Sequence, residues 1–470
     1  MPVRIFILFM LLFAISTKRS VSSWNDASRM ATIQSLVEQQ TLIIDDTAFV
    51  DKTSDTYVFR GHTYSSKPPA LAIIGALVYA PMYLAGITFD RDPTLPYFLI
   101  TLLTIGTISA LGLVFFWKMQ VDEFRVDVEW AKITTFVAGT GTLVLPYSTV
   151  FNSHAVGGAL VLIGFYYAFK GSIRSETRHA IFSGLLLALA GSVDTACLIF
   201  LPFALLIFLR RSLRDALRFA AACTPIVVFY FGANLILSGS LLPPTLNAPL
   251  RSLPGSAFSG ENLSGLTSHA TLADGLVYAF HMLIGNRGLF SHTPILLFAI
   301  PGVVLAYRLR RSQLPYSDTL LLVLACCLFI GLAILRTNNY GGDSFGVRWF
   351  ATIMLILFLP IAFLSEEMGS RGWLRSLFWV VSALSIAIAL VGSYRPFLPS
   401  PNPVPGLPGI VDNTLWLAIV RIATLSTPLG KVRFLLVAAI VYAAFFLLKR
   451  GHDRSSLRGP APTFPAQSSG

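Results

Sequence analysis

Long apolar runs separated by short polar connectors fill almost the whole chain, at about 3–17, 70–89, 96–117, 132–151, 156–169, 180–209, 217–240, 289–307, 318–335, 347–364, 373–393 and 432–448. In a bilayer such runs can satisfy their backbone only as helices, so the pattern predicts an all-α polytopic membrane protein with roughly 11–13 transmembrane helices. Two runs break the simple alternation. The 180–209 run is too long for one ordinary span and carries Asp194 near its middle, which predicts two short helices meeting at one face. The 70–89 run reads as a re-entrant or interfacial helix, because only then do all basic connectors fall on one side.

Those connectors set the orientation. Lys170 to Arg178, Arg210 to Arg218, Arg308 to Arg311, Arg371 with Arg375, and Lys449-Arg450 are cytoplasmic by the positive-inside rule. The segments 19–69 and 241–288 are then large external loops, and Tyr340–Arg348 is external too. The alternative, a full crossing at 70–89 and one tilted helix at 180–209, puts the Lys170–Arg178 connector outside. The first run resembles a signal peptide in length, but Thr17-Lys18-Arg19-Ser20 offers no small-residue cleavage pattern, so it reads as an uncleaved span. Residues 1–450 form one membrane domain, and 451–470, rich in Pro, Gly and Ser, read as a disordered cytoplasmic tail.

Composition narrows the function. With 54% hydrophobic and 12% charged residues, no extended soluble domain is left over, and the net charge of +12 sits largely in topogenic connectors rather than on a nucleic-acid face. Cys197, Cys223, Cys326 and Cys327 lie in or beside apolar runs without metal-ligand spacing.

The informative polar positions gather on the external side. After Asp26, the positions Met30, Ile33, Leu36 and Val37 recur at helical spacing, which predicts a helix lying in the membrane surface. Asp26 at its first turn is either an N-terminal capping residue or a general base at the bilayer boundary, with Arg29 on the same face to keep it ionised. Lys67 precedes two prolines that stiffen the chain as it returns to the bilayer, so its ammonium stands at headgroup depth, where it can meet phosphate or simply snorkel. Tyr340 to Trp349 contains three glycines, Asp343 and Arg348; the glycines permit close backbone approach and the guanidinium can grip a phosphate. His154 and Asp194 both fall at external hairpin tips. The 241–288 loop, with Pro243-Pro244, Arg287 and little periodicity, either covers a substrate groove or only connects, and Asn262-Leu263-Ser264 matches the glycosylation sequon.

These residues together resemble the GT-C superfamily of membrane glycosyltransferases, in the bacterial branch related to protein O-mannosyltransferases and the lipid A aminoarabinose transferase. The carriers are Asn25-Asp26-Ala27-Ser28-Arg29, His62 to Pro69, Tyr147 to His154, Arg287-Gly288-Leu289-Phe290 with Pro294, and Gly341 to Arg348. The resemblance implies transfer of a hexosyl or pentosyl group from a polyprenyl-phosphate donor to a lipid, glycan or protein acceptor, on the periplasmic or extracellular face of the cell's inner membrane. It implies Asp26 as catalytic acid, Lys67, Arg348 and Arg29 on the donor phosphate, and Tyr64, His154, Asp194, Arg287 and Asp343 along the substrate groove. The chain departs from the family twice: Asn25-Asp26 stands where many relatives carry paired acids, and Ser66 where they carry an acid before Lys-Pro-Pro. A divalent metal is therefore compatible with the family but unsupported by this sequence. The rival readings are a transporter or flippase of lipid-linked sugars, which predicts paired halves and midplane charges, and a polymerase or ligase working on a polyprenyl diphosphate.

Overall fold

The computed structural model describes residues 1–173, 176–251, 267–310, 314–398 and 413–456. The Asn262 sequon, part of the 241–288 loop and the tail from 457 lie outside them. The protein is a polytopic membrane protein built almost wholly of helices. Among the described residues, five helices are long and apolar enough to cross a membrane: Thr94–Glu123, Leu213–Ser238, Pro315–Arg336, Gly372–Tyr394 and Pro428–Asp453. Seven shorter apolar helices of 10–17 residues accompany them. Side chains such as Leu77, Leu84, Ile236 and Leu429 point outward unburied, as lipid-facing positions do.

The 180–209 run divides as its length predicts. Helix Thr177–Val193 stops at Asp194, a short 3-10 turn covers Thr195–Ile199, and a second helix runs Phe200–Leu209. A single tilted helix there is excluded. The 70–89 run forms a helix only from Ala70 to Leu84. Its 15 residues rise about 22 Å, less than the roughly 30 Å of a hydrocarbon core.

Three expectations are corrected. The 347–364 run is not one span but a succession of 3-10 and α turns, Arg348–Thr352, Met354–Phe358 and Leu359–Leu364, and it is buried almost throughout. Enclosed by protein, it needs no regular helix to shield its backbone from lipid. The tail does not begin at 451, because the last helix continues to Ser456. The 241–288 loop is not aperiodic: it holds a helix Leu272–Leu283, started by a capping box of Thr271 and Asp274.

Two glycines bring the core elements to the site. Helix Ser153–Ile173 passes the Arg348–Thr352 turn so closely that a Cβ on Gly158 would lie 2.6 Å from the Thr352 carbonyl oxygen, and one on Gly157 3.2 Å from Asp194 Cβ. Gly158→Ala therefore has to push backbone, not a side-chain tip, and is expected to cost about 1–3 kcal/mol. Thermal unfolding in detergent reads this directly; a melting temperature equal to wild type would mean the two backbones are not in contact.

Candidate active site

The segment 19–69 builds the centre. Helix Trp24–Gln34 starts with a capping box, Ser23 being the N-cap and Asp26 the third residue of the first turn. Asp26 is fully buried, and its carboxylate accepts from the backbone N–H of Ser22 (2.9 Å), Ser23 (2.8 Å) and Ala27 (3.0 Å), and from the hydroxyls of Ser22 (3.4 Å), Ser23 (2.9 Å) and Tyr97 (3.0 Å). Burial pushes its pKa up, and the donors from Ser22, Ser23 and Tyr97 pull against that rise.

The helix does not lie half-exposed in the membrane surface as its periodicity predicts, since every residue from Asn25 to Gln34 is buried. Its apolar side packs on Ala70–Leu84, where Ile33 fills the space a Cβ on Gly75 would occupy. Its polar side faces the site. There Arg29 donates to Asn25 and, at 3.0 Å, to Ser153 Oγ. Burial lowers its pKa to about 10, while the charges of Asp55 and Asp194 raise it and that of Arg348 lowers it.

Lys67 reaches the site through a hairpin. Strands β1 (Thr56–Phe59) and β2 (His62–Ser65) pair antiparallel, joined by Arg60-Gly61, both at positive φ, the turn that matches strand twist. Beyond β2 the chain folds back so that Ser66 N donates to the Asp55 carbonyl at 2.9 Å and the Lys67 ammonium meets Asp55 at 2.8 Å. Asp55 thus supplies the carboxylate that Ser66 lacks, from the opposite strand. Tyr64 stacks on Tyr57 at 5.6 Å, and both line, with Lys67 and Thr32, a crevice of about 20 Å³.

The glycine-rich loop contributes two guanidinium groups. Tyr340, Gly341, Gly342 and Gly346 all have positive φ, and Arg348 folds back over Gly341 and Gly342. Arg287, buried, donates to the Gly342 carbonyl, so Arg287 and Arg348 meet at one turn. The loop is held by Tyr147, whose hydroxyl donates to the Phe345 carbonyl at 2.7 Å, and by Phe345 N to Pro396 O at 2.9 Å. Asp343 is exposed, and its backbone carbonyl accepts from Leu398 N at 3.0 Å. Across from the arginines, His154 Nδ1 lies 2.6 Å from Asp194 Oδ2, and the Thr352 hydroxyl donates to the same oxygen at 3.2 Å.

Asp26, Arg29, His154, Asp194 and Arg348 therefore converge, Arg287 joins through the glycine turn, and Lys67 with Tyr64 sits on the Asp55 side. Sequence reading missed Asp55 and Asn152. Nothing local marks Asp55, one acid among several in the loop; only the hairpin register brings it to Lys67. Among the described residues, the buried donors here without a hydrogen-bond partner include Arg29 Nε and Arg348 Nε, and also Nδ2 of Asn152, whose side-chain oxygen accepts from His154 N. No group of three or more His, Cys, Asp or Glu gathers to hold a metal among the described residues.

No family model and no curated protein matches the chain. Solved structures do. The chain is similar to ArnT from Cupriavidus metallidurans bound to undecaprenyl phosphate, at 14% identity and TM-score 0.58, over 97% of this chain and 73% of that one. It is similar at lower TM-scores to two structures from Archaeoglobus fulgidus. One is an oligosaccharyltransferase in complex with Zn and sulfate, at 13% identity and 0.47, over 85% of this chain. The other is the oligosaccharyltransferase AglB with an inhibitory peptide and a dolichol-phosphate, at 11% and 0.48, over 92%. The chain spans only 54% and 58% of the length of those two. At these identities the likeness reaches the fold and stops there, and it rests on the ArnT match: the chain has the GT-C membrane fold.

Proposed function

We propose that the protein is a membrane glycosyltransferase that takes a sugar from a polyprenyl-phosphate donor and passes it to an acceptor on the outer face of the membrane. The observation that carries this reading is the approach of Arg29 and Arg348, close enough for their charges to act on one another, each with a buried Nε that has no hydrogen-bond partner among the described residues. Buried donors are rarely left unpaired, and a phosphate with its several acceptor oxygens satisfies such a group. As the glycosidic bond to the leaving phosphate breaks, negative charge grows on it, and fixed cations in a poorly hydrated site stabilise that charge.

The acceptor hydroxyl must lose a proton. Asp26 is one candidate to receive it, but every lone pair of its carboxylate is already engaged. The Asp194–His154 contact favours a second candidate. Asp194 orients the imidazole through Nδ1, leaving Nε2 to act as base, the arrangement general-base catalysis uses.

The test is transfer of label from a panel of polyprenyl-monophosphate sugars by purified protein in detergent with lipid extract. Wild type is expected to transfer, with His154→Gln and Asp194→Asn each slowed about 10²–10⁴-fold while donor binding persists. If no donor is consumed but the wild type moves lipid-linked sugar across liposomes, the transporter reading replaces this one.

A further inference from the structure

A second basic feature lies behind the candidate site. The C-terminal ends of helices Pro2–Ser16 and Gly372–Tyr394 and the N-terminal end of helix Pro428–Ser456 border a half-open cavity of about 380 Å³. Lys18, Arg19, Arg395 and Arg433 line it, with Ser20 and Ser22 among the polar groups and no carboxylate among its described lining residues. None of the four cations pairs with a carboxylate among the described residues. Arg433 is fixed by the carbonyl oxygens of Ile15, at 2.7 Å from Nε, and Thr17, at 3.2 Å. Lys18 lies 5.5 Å from the centre of the Tyr394 ring and Arg19 5.8 Å from that of Phe98. The Lys18 ammonium is held down to about 7, by burial first and then by the charges of Arg433 and Arg395. The fold thus sets four basic groups against one another with no carboxylate partner among the described residues.

Topology makes this more telling. With the first loop outside, these cations stand on the face where the positive-inside rule disfavours Lys and Arg, so orienting the chain does not explain them. The cavity is also separate from the donor cluster. Its wall residue Ser22 donates to Asp26, and its wall residue Phe397 carries Arg348 on its ring at 5.9 Å. The two sites stand back to back.

We propose that this cavity binds the phosphate of a second lipid headgroup from the outer leaflet, distinct from the donor phosphate. Cations gathered in a half-open cavity match a phosphomonoester or phosphodiester, and the neighbouring apolar helix faces accommodate its acyl chains. The inference stands on the cavity, and rests on the transferase reading only in calling the other site the donor's.

The test is native mass spectrometry of the full-length protein in detergent, titrated with dioctanoyl phosphatidic acid, with dioctanoyl phosphatidylcholine, and with inorganic phosphate as competitor. Saturable one-to-one binding of phosphatidic acid is expected, weakened about tenfold or more in the Lys18→Met, Arg395→Met double variant. Among the described residues these two side chains hold no backbone carbonyl, unlike Arg433, and circular dichroism with thermal unfolding checks the fold. Arg348→Ala should bind as wild type does. Equal binding by the double variant, or loss in Arg348→Ala alone, overturns the proposal, the latter by placing the lipid in the donor cluster. Competition by inorganic phosphate at concentrations equal to the lipid would assign the cavity to free phosphate and overturn the lipid.

Discussion

Replacing Asp26 with Asn is expected to remove transfer and to destabilise the protein at the same time. The substitution keeps one oxygen acceptor but turns an –NH₂ group toward backbone and hydroxyl donors that now point at a carboxylate. Each buried donor left unpaired costs about 1–3 kcal/mol, and loss of the cap about 1 kcal/mol. A drop in activity alone therefore does not establish a chemical role. The separating measurement is transfer per folded molecule, with folded fraction read by thermal unfolding. If the variant melts as wild type does, the six-donor arrangement is wrong; if its folded molecules turn over normally, Asp26 serves structure only and the proton acceptor is Asp194 with His154. Where Asp26 does take part as a base, its raised pKa predicts a rate that falls on acidification at higher pH than an ordinary aspartate would give.

Arg348→Ala is expected to slow transfer by about 10²–10³-fold, the usual cost of losing one preorganised donor to developing charge. Little stability should go with it. The guanidinium lies over Gly341 and Gly342 and the Phe397 ring, and its Nε holds nothing among the described residues. Arg348→Lys should recover little, because a single ammonium cannot reproduce the planar fork. Lys67→Ala contrasts with it: the same order of rate loss, but with destabilisation, since Asp55 is left buried without its ion pair. An Arg348→Ala protein with near-normal transfer would remove the glycine loop from the donor site.

The break at Asp194 shows how far local pattern reaches. Length and one charge placed two short helices in 180–209, and the chain does divide there. The same kind of reasoning failed at 347–364, where apolar composition is equally compatible with a lipid-facing span and with a buried irregular segment. It also placed Trp24–Gln34 on the membrane surface, because an amphipathic helix covered by protein on its polar side has the same periodicity as one covered by water.

By itself the sequence determined that the chain is a polytopic membrane protein, and that polar chemistry gathers in the first loop and the glycine turn. These follow from composition and spacing along the chain, which fix hydration and helical periodicity locally. Only the tertiary structure decided that Asp55 answers Lys67, that His154 meets Asp194, that Arg287 and Arg348 share a turn, and that Asp26 is enclosed by donors. Each of these depends on backbone approach between segments distant in sequence. Hairpin register sets the first, and Gly157 and Gly158 permit the close packing beside Asp194 and Thr352. No local rule encodes such approaches, because the energy of a buried charge depends on what surrounds it.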